Sequence, residues 1–502
     1  MFDYEIKRIL YNGKKNILWG AGQNGVQILL AFAAMGIPVE MFCDSDRRKQ
    51  RIRILNKRVI MPEKVLENPS EYNFIVTLMN KECSKKITDK LEEQRVKDFI
   101  VWNDIKSIVT LNTLGIKVQF RGLYRIIQDS YIRKIVIYGT GKEAAVLKRL
   151  LEMLDVKIAY FVDDIESECN QWESQVKPIY DLLYEKEGAI KVIVMSEKKE
   201  NMNVLDRMGL AMGKDYSGYD IYTTAIARKY ILDPNLGYSF QPKKNGDTMP
   251  GIVQIGDGKI VIALLGGSTT EGEGYSYKSW AELLFDKLTK KGYSVKVLNA
   301  GCGGYSTPQE LGKLIRDIIP LKPDIIIHYT GVNDSTLAND YPFVHVYQKR
   351  FIEYLAEEVE YQDDWRGTDN KYTLGVKHNR SNDQMFIDNI KMMNSICKGY
   401  GILYLAFLQP CLPAKKEKLS DYGYEVLLHL SYDQKSWKPF ENTRHFYEKV
   451  CEQISAYGTD ITSLFDGADD VYLDWCHVNE HGNEMIAQYM CEYLIRKGIV
   501  EK

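Results

Sequence analysis

The stretch Leu264-Leu-Gly-Gly-Ser-Thr-Thr-Glu-Gly-Glu-Gly274 decides how the second half of this chain is read. It follows the apolar run Lys259-Ile-Val-Ile-Ala-Leu-Leu265, whose length and glycine boundary predict a buried strand. Ser268 then falls on a tight strand-to-helix turn, the place where α/β folds present reactive groups. The next helix is expected to begin near Ser276 and to direct its positive end toward that turn. Taken alone, a serine between glycines is usually a turn residue.

Three further segments recur in fixed order, each at the end of a predicted element. Asn299-Ala-Gly-Cys-Gly-Gly-Tyr-Ser-Thr307 follows the strand-like Val295-Lys-Val-Leu298. Gly331-Val-Asn-Asp334 follows Asp324-Ile-Ile-Ile-His-Tyr-Thr330, and Asp474-Trp-Cys-His477 precedes the last predicted helix. Together the four blocks resemble the SGNH (GDSL-type) hydrolase family over roughly residues 230–498. The resemblance implies a three-layer α/β/α domain with a parallel sheet of about five strands. It implies Ser268 as nucleophile, His477 as base and Asp474 as the group that fixes the histidine tautomer. The oxyanion donors it implies are the Ser268 N–H, the Asn333 side-chain amide and a glycine N–H of the second block. Aligning that block from Asn299 puts the glycine at Gly304, with Gly303 as the neighbouring alternative.

The final block also fits a competing pattern. His477-Val-Asn-Glu-His481 has the spacing H-x-x-E-H, which binds zinc when it lies on a helix. Asn479 reads as an N-cap, which would start the helix after His477 and separate the two histidines. No metal is expected.

The first half carries a different pattern, twice. Lys15-Asn-Ile-Leu-Trp19 leads into Gly20-Ala-Gly-Gln-Asn-Gly25, an apolar helix from Val26 to Met35, and a strand Val39 to Cys43 ending in Asp44. In this G-x-G-x-x-G arrangement Gly20, Gly22 and Gly25 permit close backbone approach to a phosphate, and Asp44 is placed to bond a ribose hydroxyl. Lys134-Ile-Val-Ile-Tyr138 repeats it, with Gly139, Gly141 and Ala144 in the turn, a helix from Ala145 to Leu154, and Asp163-Asp164 closing the next strand. These stretches resemble small Rossmann-like modules of about four strands found beside sugar-modifying enzymes. They are read either as nucleotide or nucleotide-sugar sites or as scaffolds.

The expected architecture is therefore α/β throughout: Rossmann-like units at 1–110 and 120–225, then an SGNH hydrolase domain at 230–502. Residues 223–257 are turn-rich and read as a linker; segments of the Asp233-Pro-Asn-Leu-Gly-Tyr238 type often precede SGNH cores. Phe351 to Asn382 reads as an insertion forming a lid or an oligomer contact. Lys415 to Asn442 reads as a substrate wall whose Tyr422, Tyr424, Tyr432 and Trp437 can stack on sugars or simply pack.

Composition narrows the partners. The chain has 502 residues, 45% hydrophobic and 27% charged, with a net charge of −2, which does not suggest nucleic-acid binding. No window nears the ~20 apolar residues of a membrane span. The N-terminus lacks the pattern of a secretory leader. Nine scattered cysteines without a C-x-x-C pair suit a reducing cytoplasm. The expected function is a serine esterase that removes a small acyl group, acetyl above all, from a carbohydrate or glycan precursor. The alternatives are an O-acyltransferase using the same residues, and a nucleotide-sugar-binding or scaffold protein whose hydrolase activity is secondary.

Overall fold

The structure is a computed structural model that describes residues 4–78, 80–101, 120–164, 176–219, 230–233, 235–240, 251–272, 278–336, 381–429 and 438–501. The chain divides into two compact units: Met1–Ala225 with Leu428–Gln434, and Ile226–Leu427 with Lys435–Lys502.

The first unit holds two sheets. Strands β1 (Lys15–Trp19), β2 (Met41–Cys43), β3 (Arg53–Ile54), β4 (Lys57–Ile60), β5 (Tyr72–Val76) and β6 (Phe99–Val101) form the first, in the order β3-β4-β2-β1-β5-β6. All neighbours are parallel except the β3–β4 hairpin. Strands β7 (Lys134–Tyr138), β8 (Ile158–Asp163), β9 (Val176–Pro178), β10 (Ile190–Val194) and β11 (Tyr216–Gly218) form the second, all parallel, in the order β11-β10-β7-β8-β9.

Six and five strands correct the expected four per unit. The additional strands are only two to four residues long, too short for a hydrophobic period to register. The β3–β4 turn is made by Leu55 and Asn56, at φ 47° and 67°, with no glycine to announce it. The expected strand over Asp98–Trp102 spans Phe99–Val101, and Trp102 lies outside the described residues. The two sheets are joined within the unit: Asn56 Nδ2 donates to Leu154 O at 2.8 Å, and Lys57 Nζ pairs with Asp155 at 2.8 Å.

The second unit opens with an antiparallel pair, β12 (Tyr230–Asp233) and β13 (Gly237–Phe240). Its main sheet combines β14 (Val253–Ile255), β15 (Ile260–Gly266), β16 (Val295–Asn299), β17 (Ile325–Thr330), β18 (Leu403–Leu408) and β19 (Gly458–Asp460), in the order β14-β16-β15-β17-β18-β19. Five strands are parallel, and β14 runs antiparallel at the edge. The expected linker is thus corrected. Its described residues form a hairpin and an edge strand, because Asp233 Oδ1 accepts from the N–H groups of Asn235 and Leu236, at 3.0 Å each, and so builds the hairpin turn.

Alternation along the strands sends side chains to both faces of the main sheet. Ala263, Leu265, Leu298, Ile326, Ala406 and Leu408 share one buried cluster with Phe386 and Ile390 of the helix Asn382–Gly399 and with Phe446 and Val450 of the helix Lys438–Ile454. On the other face, Phe407 packs edge-on against Tyr489 and Tyr493 of the helix Glu480–Arg496, and Tyr329 packs against Trp280. The sheet is therefore a middle layer, and the C-terminal ends of its parallel strands carry the loops described next.

The helix expected near Ser276 begins instead at Trp280; residues 273–277 are outside the described set. Its start is set by a capping box, in which Ser279 accepts from the Glu282 N–H and the Glu282 carboxylate accepts from the Ser279 N–H. The insertion from Phe351 lies outside the described residues apart from its last two positions, and so do Tyr432 and Trp437. The Tyr422 hydroxyl donates to Tyr472 O, 50 positions along the chain.

Candidate active site

Strand β15 ends at Gly266, where φ is 155°. A Cβ there would lie 2.3 Å from Thr270 Oγ1 and 2.4 Å from the Tyr329 carbonyl, so only glycine fits the turn. Gly267 then caps a one-turn helix, Ser268–Glu271, which Gly272 closes in the left-handed region at φ 74°. Ser268 is the first residue of that turn, and among the described residues its N–H has no acceptor, as expected for the first helical N–H.

The serine hydroxyl meets the last block of the sequence. Ser268 Oγ lies 2.7 Å from His477 Nε2, across 209 positions of chain. His477 Nδ1 lies 2.8 Å from Asp474 Oδ2 and 3.0 Å from Asp474 Oδ1. Asp474 has no exposed surface, and Oδ1 also accepts the N–H groups of Cys476 at 2.9 Å and His477 at 2.7 Å. The carboxylate therefore shapes the loop and holds the imidazole in one step. With Nδ1 facing the carboxylate, the tautomer that leaves Nε2 able to take the serine proton is the favoured one.

The second and third blocks converge on the same turn. Asn333 lies on the short helix Val332–Ser335 after β17, and its Nδ2 donates to Tyr305 O at 2.7 Å. An amide nitrogen carries a second N–H. That nitrogen is 2.6 Å from the place where a Cβ on Gly267 would sit, which puts it beside the Ser268 turn. In the second block, the N–H groups of Ala300, Cys302 and Tyr305 donate to Leu264 O, Gly266 O and Cys302 O, and that of Gly301 donates to Asn299 Oδ1. The Gly303 N–H donates to the Glu271 carboxylate, so the neighbouring alternative for the oxyanion donor is already committed. Gly304 sits at φ 77° on this loop.

A buried polar layer lies behind these loops. Asp334, next to Asn333, accepts from the Thr307 N–H at 3.1 Å and from the Thr307 hydroxyl. Burial first, and then the nearby Glu310 charge, push its carboxyl up to about 8. Glu310 itself accepts from the Thr330 hydroxyl at 2.9 Å and faces His328 Nε2 at 2.8 Å, while His328 Nδ1 faces the Tyr404 hydroxyl at 2.6 Å. Glu271, Thr307 and Asp334 were not singled out from the sequence. Glu271 and Asp334 lie inside the quoted blocks, and Thr307 closes one, which is the signal that could have found them.

Residues 264–433 match the profile described as the GDSL-like Lipase/Acylhydrolase family. This stretch is a GDSL-like acylhydrolase domain. The acylhydrolase match covers Ser268, Gly304 and Asn333; Asp474 and His477 lie beyond it and are joined to Ser268 by the geometry. The domain is that of an ester-bond hydrolase. Solved structures similar to the chain include the lipase/acylhydrolase from Enterococcus faecalis, at 16% identity, covering 48% of this chain and 98% of that one with a TM-score of 0.28. The acetyl xylan esterase AlAXEase matches at 15%, covering 47% and 100%, with a TM-score of 0.30. An acetylxylan esterase from Geobacillus stearothermophilus matches at 11%, covering 47% and 94%, also with a TM-score of 0.30. No curated protein matches the chain.

The zinc pattern is not assembled as a helical pair. Asn479 caps the helix Glu480–Arg496 with its side chain accepting from Gly482 N at 3.1 Å, so His477 precedes the helix, and His481 is exposed on its first turn. Among the described residues the one group offering three close metal-ligand atoms is Asp474, Cys476 and His477. Its histidine already faces Ser268 and Asp474. In this domain no helix among the described residues is long and apolar enough to cross a membrane.

In the first unit the two glycine turns are alike. Gly20 and Gly139 take φ 117° and 115°, and Gly22 and Gly141 are N-caps that offer no side chain to the helices Gln23–Met35 and Lys142–Met153. A Cβ on Gly25 would lie 2.0 Å from Gly20 O, so this glycine serves close packing of helix on turn. The acids are occupied by their own chain. Asp44 accepts from Ala21 N at 2.8 Å and pairs with Lys49 at 3.0 Å, and Asp163 accepts from the Thr140 hydroxyl and pairs with Lys198. A ribose hydroxyl would have to compete with those partners.

Proposed function

We propose that the protein is a serine esterase of the SGNH type that removes a small acyl group, most simply acetyl, from a hydroxyl of a carbohydrate or glycan precursor. The observation that carries this reading is the chain of contacts from Ser268 Oγ to His477 Nε2 and from His477 Nδ1 to Asp474. As Ser268 Oγ adds to the ester carbonyl, His477 Nε2 takes its proton, and Asp474 stabilises the imidazolium. The carbonyl oxygen becomes an oxyanion that the Ser268 N–H, the Gly304 N–H and Asn333 Nδ2 receive. Collapse expels the alcohol, protonated by His477, and leaves the acyl group on Ser268. Water then adds by the same route, with His477 again taking and returning a proton, to release the carboxylic acid.

A cleft beside Ser268 is lined, among the described residues, by Ser268, Thr269, Gly272, His477, Val478 and Asn483. The carbohydrate acceptor rests on the resemblance of the N-terminal units to modules that accompany sugar-modifying enzymes. We assign those units a nucleotide or nucleotide-sugar ligand, held at the helix starts of Gly22 and Gly141, and a cytoplasmic setting.

Acetyl, butyryl and octanoyl 4-nitrophenyl esters, followed by acetylated oligosaccharides, test the substrate class with wild type and Ser268→Ala in parallel. Serine-dependent turnover that falls with acyl length supports the reading; turnover that survives Ser268→Ala sinks it. Adding a free sugar acceptor separates hydrolysis from O-acyl transfer, because transfer yields an acylated sugar instead of the free acid. A thermal shift with UDP-, GDP- or CMP-sugars tests the N-terminal assignment, and no shift would leave those units as scaffold.

A further inference from the structure

The loop that carries Gly304 contains two successive glycines, Gly303 and Gly304, so no side chain restrains rotation of the peptide between them. In a trans peptide the N–H points opposite to its own C=O. Within the turn that the Tyr305 N–H closes on Cys302 O, a grip on the Gly303 carbonyl therefore helps to set where the Gly304 N–H points. That grip comes from the hairpin before the hydrolase core: the Tyr238 hydroxyl donates to Gly303 O at 2.6 Å. The same residue's N–H is held by Glu271, so Gly303 is fixed at both of its polar groups.

Tyr238 is itself held firmly. It is 3% exposed and packs edge-on against Tyr305, with ring centroids 5.4 Å apart, in a cluster with Leu236, Phe240 and Cys302. The Tyr305 hydroxyl donates back to the Tyr238 carbonyl, and Gln309 Nε2 donates to Leu236 O at 2.9 Å. Arg316 grips Asp233 at the hairpin turn with two bonds of 2.7 and 2.9 Å. Burial raises the Tyr238 phenol well above its usual value, so it remains a proton donor at any working pH.

We infer that Tyr238 is a positioning residue for the oxyanion site: its hydroxyl orients the Gly303–Gly304 peptide and so aims the Gly304 N–H at the reacting carbonyl. The inference rests on the reading of Ser268 as the nucleophile. A hydrogen bond accepted by a peptide carbonyl also polarises the N–H of that peptide, which strengthens it as a donor. The turn-rich segment before the core is then part of the catalytic apparatus, acting through the Gly303–Gly304 peptide.

Tyr238→Phe removes the hydroxyl and keeps the ring in its cluster. The test compares it with wild type and Ser268→Ala on 4-nitrophenyl acetate, together with the rate of inactivation by a fluorophosphonate. Deleting an oxyanion donor outright costs ~100–1000-fold, so loosening one is expected to lower kcat by about tenfold. KM should stay within about twofold, the pH profile of kcat/KM should keep its shape, and fluorophosphonate inactivation should slow in step with kcat. A purely structural role would lower the melting temperature or raise KM and leave kcat and inactivation in place, and that result overturns the inference. Wild-type turnover that does not depend on Ser268 would overturn the nucleophile reading, and this inference with it.

Discussion

The Asn333 amide nitrogen donates to the Tyr305 carbonyl across 2.7 Å and lies 2.6 Å from where a Cβ on Gly267 would project. The third block is thereby tied to the second and pressed against the first. Gly267 has an ordinary φ of −86°, so alanine there brings no backbone strain; its methyl group would instead displace the Asn333 amide. Gly267→Ala should fold with a melting temperature close to wild type and lose on the order of 100–1000-fold in kcat, the cost of one oxyanion donor. Steady-state kinetics beside a melting curve checks this. Unchanged kcat would remove Asn333 from the site.

Ser268→Ala and His477→Ala should each reduce hydrolysis of a small ester by as much as ~10⁶, and the double variant should cost little more, because residues that act as a unit are not additive. Asp474→Asn should be milder, up to ~10⁴, since nucleophile and base remain but the tautomer is wrong. Additive losses in the double variant would argue that serine and histidine act independently.

Asp334 gives the stability of the second unit a pH dependence. Its folded carboxyl holds a proton to about 8, whereas an unfolded aspartate releases it near 4. Between those values the native state binds the extra proton, so this contribution is complete below about pH 4 and is lost as the pH rises through about 8. Thermal melts at pH 5 and pH 9 should show a larger drop for wild type than for Asp334→Asn. Equal drops would mean that Asp334 is charged in the folded protein.

Much of the candidate site could be read before any coordinates, because each block couples a strand end to a residue whose chemistry is distinctive. Ser268, Asn333 and His477 belong to that kind. Tyr238 does not: a tyrosine in a turn-rich segment carries no sign that its hydroxyl reaches Gly303, 65 positions away. The same holds for Thr307 and Asp334, whose bond depends on how β16 and β17 flank β15. In the first unit the glycine turns were legible at Gly20 and Gly139, but the partners of Asp44 and Asp163 were not. Lys49 and Lys198 reach those acids through short 3₁₀ turns that no hydrophobic period predicts.

The most direct test of the central claim is intact-mass analysis after treatment with a fluorophosphonate, on wild type and Ser268→Ala side by side. A hydroxyl whose proton is drawn toward His477 should take one phosphonyl group, and the adduct should vanish in the variant. A folded wild-type protein that gains no adduct, or a variant that is labelled equally, would contradict the assignment of Ser268 as an activated nucleophile.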